Sequence, residues 1–223
     1  MKWLLIFLLP LFSNAQIPDT MHNPYTYLAL GDSYTIGESV QLHKSFPYQT
    51  VCLLRQAGYH ITAPEIIAKT GWTTDELDAG LKGFEFLSKY DFVTLLIGVN
   101  NQYRGRDIIE YKEQFESLLK KSIVFAGGKP EHVIVLSIPD YGVTPYAENK
   151  NPEKIAKEID EYNTLNKAIS IQYKVHYLEI TESTRKAKTT SGLIAPDGLH
   201  PSEKEYAKWA KKLVPLMKEK MKK

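Results

Sequence analysis

The chain has 223 residues, of which 43% are hydrophobic and 24% charged, and its formal net charge is +2 at pH 7. This length suits one α/β domain with a substantial core and is short for two domains. So small a net charge provides no strong field for binding nucleic acid or an anionic membrane surface. The lysine-rich segment 204–223 is interpreted as a solvated helix face and tail.

The first fifteen residues have the organisation of a secretory signal peptide. Lys2 supplies a short positive region, residues 3–12 are nearly all apolar, and Ser13 and Ala15 put small residues before a cut at Gln16. The apolar run is too short to span a bilayer, and no cysteine stands at the cut to carry a lipid. We therefore expect a signal peptide at 1–15, a single mature domain at 16–223 without an integral membrane segment, and a secreted or periplasmic location.

Short β-rich segments alternate with longer segments of helical periodicity along the rest of the chain. This alternation predicts a parallel sheet with helices on both faces, an α/β fold. The almost uniformly apolar segment 92–97 is typical of a central parallel strand. In chain order we predict a strand at 25–30, a helix at 46–57, a strand at 60–67, a helix at 73–88, a strand at 92–97, a helix at 107–126, a strand at 133–138, a helix at 155–173, a strand at 175–180 and a helix at 202–221.

Two long irregular segments, 139–152 and 182–196, leave the predicted sheet after strands. In open α/β sheets ligands bind outside the carboxyl ends of the strands, so both segments are candidate walls of a site. Four aromatic side chains near that edge could line an acyl or alcohol pocket, or could simply pack: Trp72, Tyr103, Tyr141 and Tyr146. Two nearby arginines, Arg104 and Arg106, are interpreted as ordinary surface residues.

The only cysteine, Cys52, cannot form an internal disulfide, so the stability of the domain must come from its core. It lies within an apolar pattern that includes Val51 and Leu54. This pattern predicts a buried, unreactive thiol.

The tripeptide Gly31-Asp32-Ser33 directly follows the first predicted strand. A serine at this point lies at the carboxyl edge of the sheet, where its hydroxyl can attack a bound substrate. The hydroxyl is inert at neutral pH unless a base activates it. Taken alone, the tripeptide is also an everyday turn.

A candidate base lies near the end of the chain, in Asp197-Gly198-Leu199-His200. A spacing of three lets the carboxylate accept the Nδ1 hydrogen of the imidazole, which leaves Nε2 free to take a proton from Ser33. Alternatively the pair could organise a helix N-terminus or bind a metal. A metal site is disfavoured because no further histidine, cysteine or acidic cluster shows ligand spacing.

Candidate oxyanion donors follow the second and third predicted strands. The Gly71 backbone N–H and the Asn100 side-chain amide could join the Ser33 N–H in holding a tetrahedral oxyanion. Taken singly, Gly71 and its counterpart Gly98 are typical turn glycines.

In this order the four signals resemble the sequence blocks of the SGNH/GDSL esterase and lipase superfamily. The resemblance covers essentially the whole mature chain, and the first and last blocks are its most specific parts. The blocks here are Gly31-Asp32-Ser33-Tyr34-Thr35-Ile36-Gly37-Glu38, then Gly71, then Gly98-Val99-Asn100-Asn101, and last Asp197-Gly198-Leu199-His200-Pro201.

The resemblance implies a three-layer α/β/α sandwich with a flavodoxin-like, five-stranded parallel sheet, and ester hydrolysis without metal or cofactor. It assigns catalysis to Ser33, Asp197 and His200, and the oxyanion hole to Ser33, Gly71 and Asn100. One position departs from the family pattern, since Asn101 stands where the third block commonly has aspartate. Support for that loop is therefore expected to differ.

Two other functional classes compete with a serine esterase. A non-catalytic glycan- or ligand-binding module on this fold would be expected to lack Ser33 or His200, and both are present. A nucleotide or flavin binder would need a glycine-rich phosphate loop after the first strand, which the sequence does not have. The substrate stays open among simple carboxylesters, acetylated carbohydrates, lysophospholipids and thioesters.

Overall fold

The computed structural model describes residues 23–222, and the predicted signal peptide at 1–15 lies outside them. Neighbouring strands of the sheet are parallel, and their spatial order is 2-1-3-4-5 along the chain numbering. This is the order of flavodoxin-like sheets. Within the described residues the strands are β1 (Tyr27–Gly31), β2 (Glu65–Ala68), β3 (Phe92–Leu96), β4 (Val133–Leu136) and β5 (His176–Leu178).

The helices of residues 23–222 are α1 (Ser33–Ile36), α2 (Phe46–Gln56), α3 (Thr74–Leu81), α4 (Val99–Tyr103), α5 (Ile108–Phe125), α6 (Pro152–Gln172), α7 (Thr181–Arg185) and α8 (Glu203–Lys218). Helix α2 packs against α8, whereas α5 packs against α3 and α6. The two groups cover opposite faces of the sheet because the strand order reverses direction at β1. The predicted three-layer α/β/α fold is confirmed. None of these helices is long and apolar enough to cross a membrane.

The central strands are the elements whose positions follow most directly from the sequence. Strands β1, β3 and β4 are buried along their whole length, since helices cover both faces of the sheet. The bounds of four strands differ from the predicted ones by at most two residues. The second strand is shorter than predicted and begins only at Glu65, because Pro64 has no N–H to donate to a neighbouring strand. Before it, Ile61 forms only an isolated bridge with Tyr25.

Helix α3 starts as predicted but ends at Leu81 rather than near residue 88. Its start is fixed by a capping box in which the Thr73 and Glu76 side chains each bond to the other residue's backbone. Two glycines, Gly80 and Gly83, then weaken helix propagation. The residues that follow form a loop in which Phe84 and Leu87 are exposed.

The prediction of a buried thiol at Cys52 is wrong. Cys52 lies on α2 and is exposed, whereas Val51 and Leu54 on the same helix are buried. Successive helical residues point about 100° apart, so Cys52 faces away from the side that carries both of them. Its neighbours in the sequence are apolar, but they do not share its face of the helix.

Candidate active site

The carboxyl ends of β1, β2 and β3 meet where the strand order reverses direction, which is the ligand-binding position in open α/β sheets. A cavity of about 190 Å³ opens there. Ser33, Gly71, Asn100 and His200 all line it. The structure therefore brings together these residues, which are far apart in the sequence, and Asp197 reaches the cavity through His200.

A larger groove of about 880 Å³ lies on the other side of the segment after β4. It contains none of the predicted catalytic residues. Its arginine, Arg185, is already paired with Asp140 at 2.9 Å and with Asp160 at 2.8 Å. We therefore assign the candidate active site to the smaller cavity.

Ser33 is held where β1 turns sharply into α1. A Cβ at Gly31 would lie 2.2 Å from Thr35 Oγ1 and 2.4 Å from the Leu96 carbonyl oxygen, so only glycine permits this close approach. Asp32 caps α1 by accepting a hydrogen bond from the Tyr34 N–H at 3.0 Å. Ser33 is consequently the first residue of α1, and 5% of its surface is exposed.

Asp197 and His200 form a compact turn just before α8. One carboxylate oxygen, Oδ1, accepts the backbone N–H groups of Leu199 and His200, both at 3.0 Å. The other, Oδ2, lies 2.6 Å from His200 Nδ1. The backbone bonds fix the carboxylate and the imidazole relative to each other, as the spacing of three residues predicts.

The charge of Asp197 favours one tautomer of His200. Partial burial opposes ionisation, but hydrogen bonds from Ser39, from His200 and from two backbone N–H groups outweigh it and hold the pKa of the Asp197 carboxyl well below its usual value. An ionised carboxylate can only accept hydrogen bonds, so His200 Nδ1 must carry the hydrogen between the two groups. In a neutral imidazole Nε2 then has no hydrogen and is the acceptor. The edge of Tyr34 packs against the His200 ring, with 5.6 Å between ring centroids.

Ser33 and His200 face the same cavity without a direct hydrogen bond between their side chains in residues 23–222. Catalytic hydrogen bonds are often long before substrate binds and tighten in the reacting complex. The arrangement is thus compatible with proton transfer from Ser33 to His200.

The candidate oxyanion donors are fixed by contacts between the second and third strand exits. Asn100 Nδ2 donates one hydrogen to the Trp72 carbonyl at 3.0 Å, which leaves its second amide hydrogen free to meet a ligand in the cavity. Gly71 adopts a left-handed conformation with φ of 83°. Its carbonyl accepts a hydrogen bond from Arg104 Nη2 at 2.5 Å, and Arg104 is itself paired with Glu76 at 2.9 Å.

Arg104 is therefore more than the ordinary surface arginine that the sequence indicated. Its hydrogen bond to the Gly71 carbonyl connects the turn around Gly71 with α4, the helix that contains Asn100. Nothing in the local sequence distinguishes it from Arg106, which pairs with Glu110 at 3.4 Å on the surface.

The model of the GDSL-like lipase/acylhydrolase family matches residues 29–208 of the chain. The chain belongs to this family. By family it is a hydrolase that acts on ester bonds. No curated protein matches the chain in sequence.

Solved structures of GDSL-type and related esterases share the fold. The chain is 19% identical to TesA, with 88% of this chain and 99% of TesA aligned at a TM-score of 0.69. It is 19% identical to a lipase/acylhydrolase from Enterococcus faecalis, with 89% of this chain and 97% of that protein aligned at a TM-score of 0.71. It is also 19% identical to Axe2, an acetylxylan esterase from Geobacillus stearothermophilus, with coverage of 86% and 94% and a TM-score of 0.65.

Asn101, the departure from the usual GDSL-family pattern, has a defined structural role. It is fully buried. Its Oδ1 accepts the Thr74 N–H at 3.1 Å, and its Nδ2 donates to Thr74 Oγ1 at 2.7 Å. Asn101 thereby ties the exit of β3 to the first turn of α3, next to the turn of Gly71.

Tyrosines form the walls of the cavity in this GDSL-family member. Tyr103, Tyr141 and Tyr146 line it, and the hydroxyls of Tyr103 and Tyr146 lie 2.6 Å apart. Trp72, in contrast, has a packing role, since its indole lies directly against Gly80 of α3. Of the two long segments expected to form walls, the one after β4 supplies Tyr141 and Tyr146.

Asp32, beside the candidate nucleophile Ser33, is a buried carboxyl with one unused oxygen. Its Oδ2 has no hydrogen-bond partner among the described residues. Burial raises the pKa of Asp32 to about 7, although the backbone bond at Oδ1 opposes the shift. The folded protein therefore retains a proton on this group at pH values where an unfolded chain has lost it.

We expect Asp32→Asn to stabilise the protein at pH 8. Between about pH 4 and pH 7 the folded state binds more protons than the unfolded state, so the Asp32 carboxyl lowers stability as pH rises through that window. Asparagine keeps the capping oxygen and removes the charge, so the gain at pH 8 should be about 1–4 kcal/mol. Urea unfolding at pH 4, 6 and 8 measures it. A difference that does not grow with pH would contradict this account of Asp32.

Proposed function

We propose that the protein is an exported serine ester hydrolase with Ser33 as nucleophile, His200 as general base and Asp197 as the residue that orients the base. One observation carries the proposal: Ser33 and His200, which is hydrogen-bonded to Asp197, line one cavity whose wall includes Asn100. A nucleophile, a base and an orienting carboxylate are the parts that acyl transfer by serine requires.

The proposed reaction proceeds in two steps. Ser33 Oγ attacks the carbonyl carbon of the ester while its proton passes to His200 Nε2. The tetrahedral intermediate then collapses, the bond to the alcohol oxygen breaks, and the alcohol leaves with the proton from His200. In the second step water attacks the acyl-serine with His200 again as base, and the carboxylic acid and free Ser33 are released.

The negative oxygen of each tetrahedral intermediate would be held by the Ser33 and Gly71 N–H groups and by Asn100 Nδ2. Asn100 is suited to this role because its contact with the Trp72 carbonyl fixes the amide before substrate arrives. Donors that are fixed in advance stabilise developing charge without reorganisation.

We expect Asn100→Ala to lower kcat by about a hundredfold or more while KM changes little, since the contact is made only in the transition state. Steady-state kinetics on a p-nitrophenyl ester measures both constants. Asn100→Asp, which keeps the shape but has no donor, should be at least as impaired. A large rise in KM with kcat unchanged would show that Asn100 binds substrate instead.

The size and walls of the cavity favour small esters. Its volume of about 190 Å³ is below the roughly 300–1,000 Å³ of sites for drug-sized ligands. Tyrosine rings provide apolar walls for a short acyl or alcohol group. We therefore propose short-chain carboxylesters as substrates. Acetylated sugars are the natural esters of this kind to test, because the similar structure Axe2 is an acetylxylan esterase.

A panel of p-nitrophenyl acetate, butyrate, octanoate and palmitate, together with acetylated xylo-oligosaccharides, tests the proposed activity. We expect kcat/KM to fall as the acyl chain lengthens beyond butyrate. Dialysis against EDTA should leave the rates unchanged, because a serine mechanism needs no metal. Activity that disappears and returns with zinc or calcium would contradict the mechanism, and a preference for palmitate would contradict the substrate class.

Export is the remaining part of the proposal, and the leader at residues 1–15 supports it. The mature protein is then expected to begin at Gln16. The intact mass of protein secreted by its native host measures this start, and a retained Met1 would contradict it.

A further inference from the structure

The loop after α1 contains a residue in an unusual backbone conformation. Ser39 has a φ of 63°, in the left-handed region that residues with a Cβ seldom adopt. Its side chain is aimed across the site at the turn before α8. A strained conformation of this kind persists where surrounding contacts determine it, and at such positions it is often part of a functional arrangement.

The Ser39 hydroxyl donates a hydrogen bond to Asp197 Oδ2 at 2.6 Å. The same oxygen lies 2.6 Å from His200 Nδ1. The carboxylate of the catalytic turn is thus saturated: two backbone N–H groups bind Oδ1, and a hydroxyl and an imidazole share Oδ2.

The neighbouring residue of the loop contacts the opposite side of the site. Glu38 accepts a hydrogen bond from the Thr70 hydroxyl, directly before Gly71. Two consecutive residues, Glu38 and Ser39, therefore connect the exit of β1 with both the Gly71 turn and the Asp197 turn.

We propose that Ser39 is a positioning residue of the catalytic triad, whose hydroxyl holds Asp197 Oδ2 against His200 Nδ1 and weakens that oxygen as a proton acceptor. The proposal rests on the proposed serine mechanism and adds to it a fourth residue that acts through Asp197.

The weakening has a defined direction. A donated hydrogen bond compensates part of the carboxylate charge, so the carboxylate stabilises a protonated imidazole less strongly. Without the Ser39 hydroxyl, the imidazole of His200 should keep its proton to a higher pH. Since the base must be neutral to accept the Ser33 proton, the acid limb of the activity profile should move to higher pH as well.

Other ionisable groups lie close enough to act on this corner of the site, and all of them are unchanged in a Ser39 variant. Burial raises the pKa of Asp32 to about 7, so this carboxyl also contributes to the activity profile near neutral pH. Wild type and all the variants retain Asp32, so its contribution to the pH profile cancels when they are compared. The groups are Asp32 and Tyr34 from α1, Glu38 from the following loop, Asp140 and Tyr141 after β4, and Tyr206 from α8.

Two variants separate the hydroxyl from the backbone strain. Ser39→Ala removes the hydroxyl and keeps the Cβ, whereas Ser39→Gly also relieves the cost of the left-handed conformation. Ser88→Ala is the matched control, because Ser88 is exposed in the loop before β3, at the opposite edge of the sheet. The measurements are kcat/KM against pH and an NMR titration of the His200 imidazole, which needs no turnover.

We expect both Ser39 variants to raise the midpoint of the acid limb and of the imidazole titration by about half a pH unit. On the plateau kcat/KM should fall about threefold to tenfold, and Ser88→Ala should change neither quantity. The midpoint decides the proposal: no shift, a downward shift or a shift in Ser39→Gly alone would overturn it. Wild-type protein without esterase activity would instead refute the proposed function, and the NMR titration would still test Ser39.

Discussion

Replacing Ser33 with alanine is expected to lower kcat for ester hydrolysis by about 10⁴-fold or more. Gly31 lets α1 begin close against the sheet, and Ser33, the first residue of α1, lines the cavity there. The variant retains the proposed oxyanion donors and the cavity, so a small residual rate and a nearly unchanged KM should remain. Steady-state and single-turnover kinetics on p-nitrophenyl butyrate measure these quantities.

The matched experiments use covalent labelling and a double variant. A fluorophosphonate probe should add one adduct to wild type at Ser33 and none to Ser33→Ala. Ser33→Ala combined with His200→Ala should lose little more than either change alone, because the two residues act as one unit. Labelling at another residue, or full activity in Ser33→Ala, would contradict the assignment of the nucleophile.

The sheet could be predicted from the sequence because its central strands satisfy one strong physical constraint. Both faces of β3 are covered, so Phe92–Leu96 is apolar except for the buried Thr94, and no helical periodicity competes with that pattern. Where burial restricts the residue types less strongly, the predicted bounds of the elements were less accurate. Phe84, Phe86 and Leu87 are apolar but lie in a loop, in which Phe84 and Leu87 are exposed, since these residues are too few and too close to Gly83 to extend α3.

The turn that contains Asp197 and His200 could be predicted because its hydrogen bonds are local. Asp197 and His200 are three residues apart, and the same spacing that lets Oδ1 accept two backbone N–H groups brings Oδ2 to the imidazole. The short helix α4 that carries Asn100 was missed, although the position of Asn100 at the exit of β3 was correct. A helix of one turn leaves too little periodicity to detect.

The contacts that support the site could not be predicted, because they join segments far apart in the sequence. Arg104 bonds to the Gly71 carbonyl and Ser39 bonds to Asp197 across the carboxyl edge of the sheet. Neither residue lies in a distinctive local pattern. Their partners become neighbours only when parallel strands bring several connections to one edge.

Asp197→Asn is expected to reduce kcat by up to about 10⁴-fold while leaving the fold and KM nearly unchanged. Asparagine matches the carboxylate in shape, and its remaining oxygen can still accept the backbone N–H groups of Leu199 and His200. Its NH₂ group would then donate a hydrogen bond to His200 Nδ1. The neutral imidazole would therefore have no hydrogen on Nδ1 and would carry it on Nε2. With Nε2 protonated, the base cannot take the proton from Ser33.

The control for Asp197→Asn is Asp197→Ala, which removes the partner without imposing the wrong tautomer. Alanine should be impaired less than asparagine at high pH, where the unpaired imidazole can still present a free Nε2 to Ser33. Because the Ser39 hydroxyl acts only through the carboxylate, Ser39→Ala should have little further effect in the Asp197→Ala background. A loss smaller than about tenfold in Asp197→Asn would show that the backbone alone holds the imidazole, and that Asp197 does not set its tautomer.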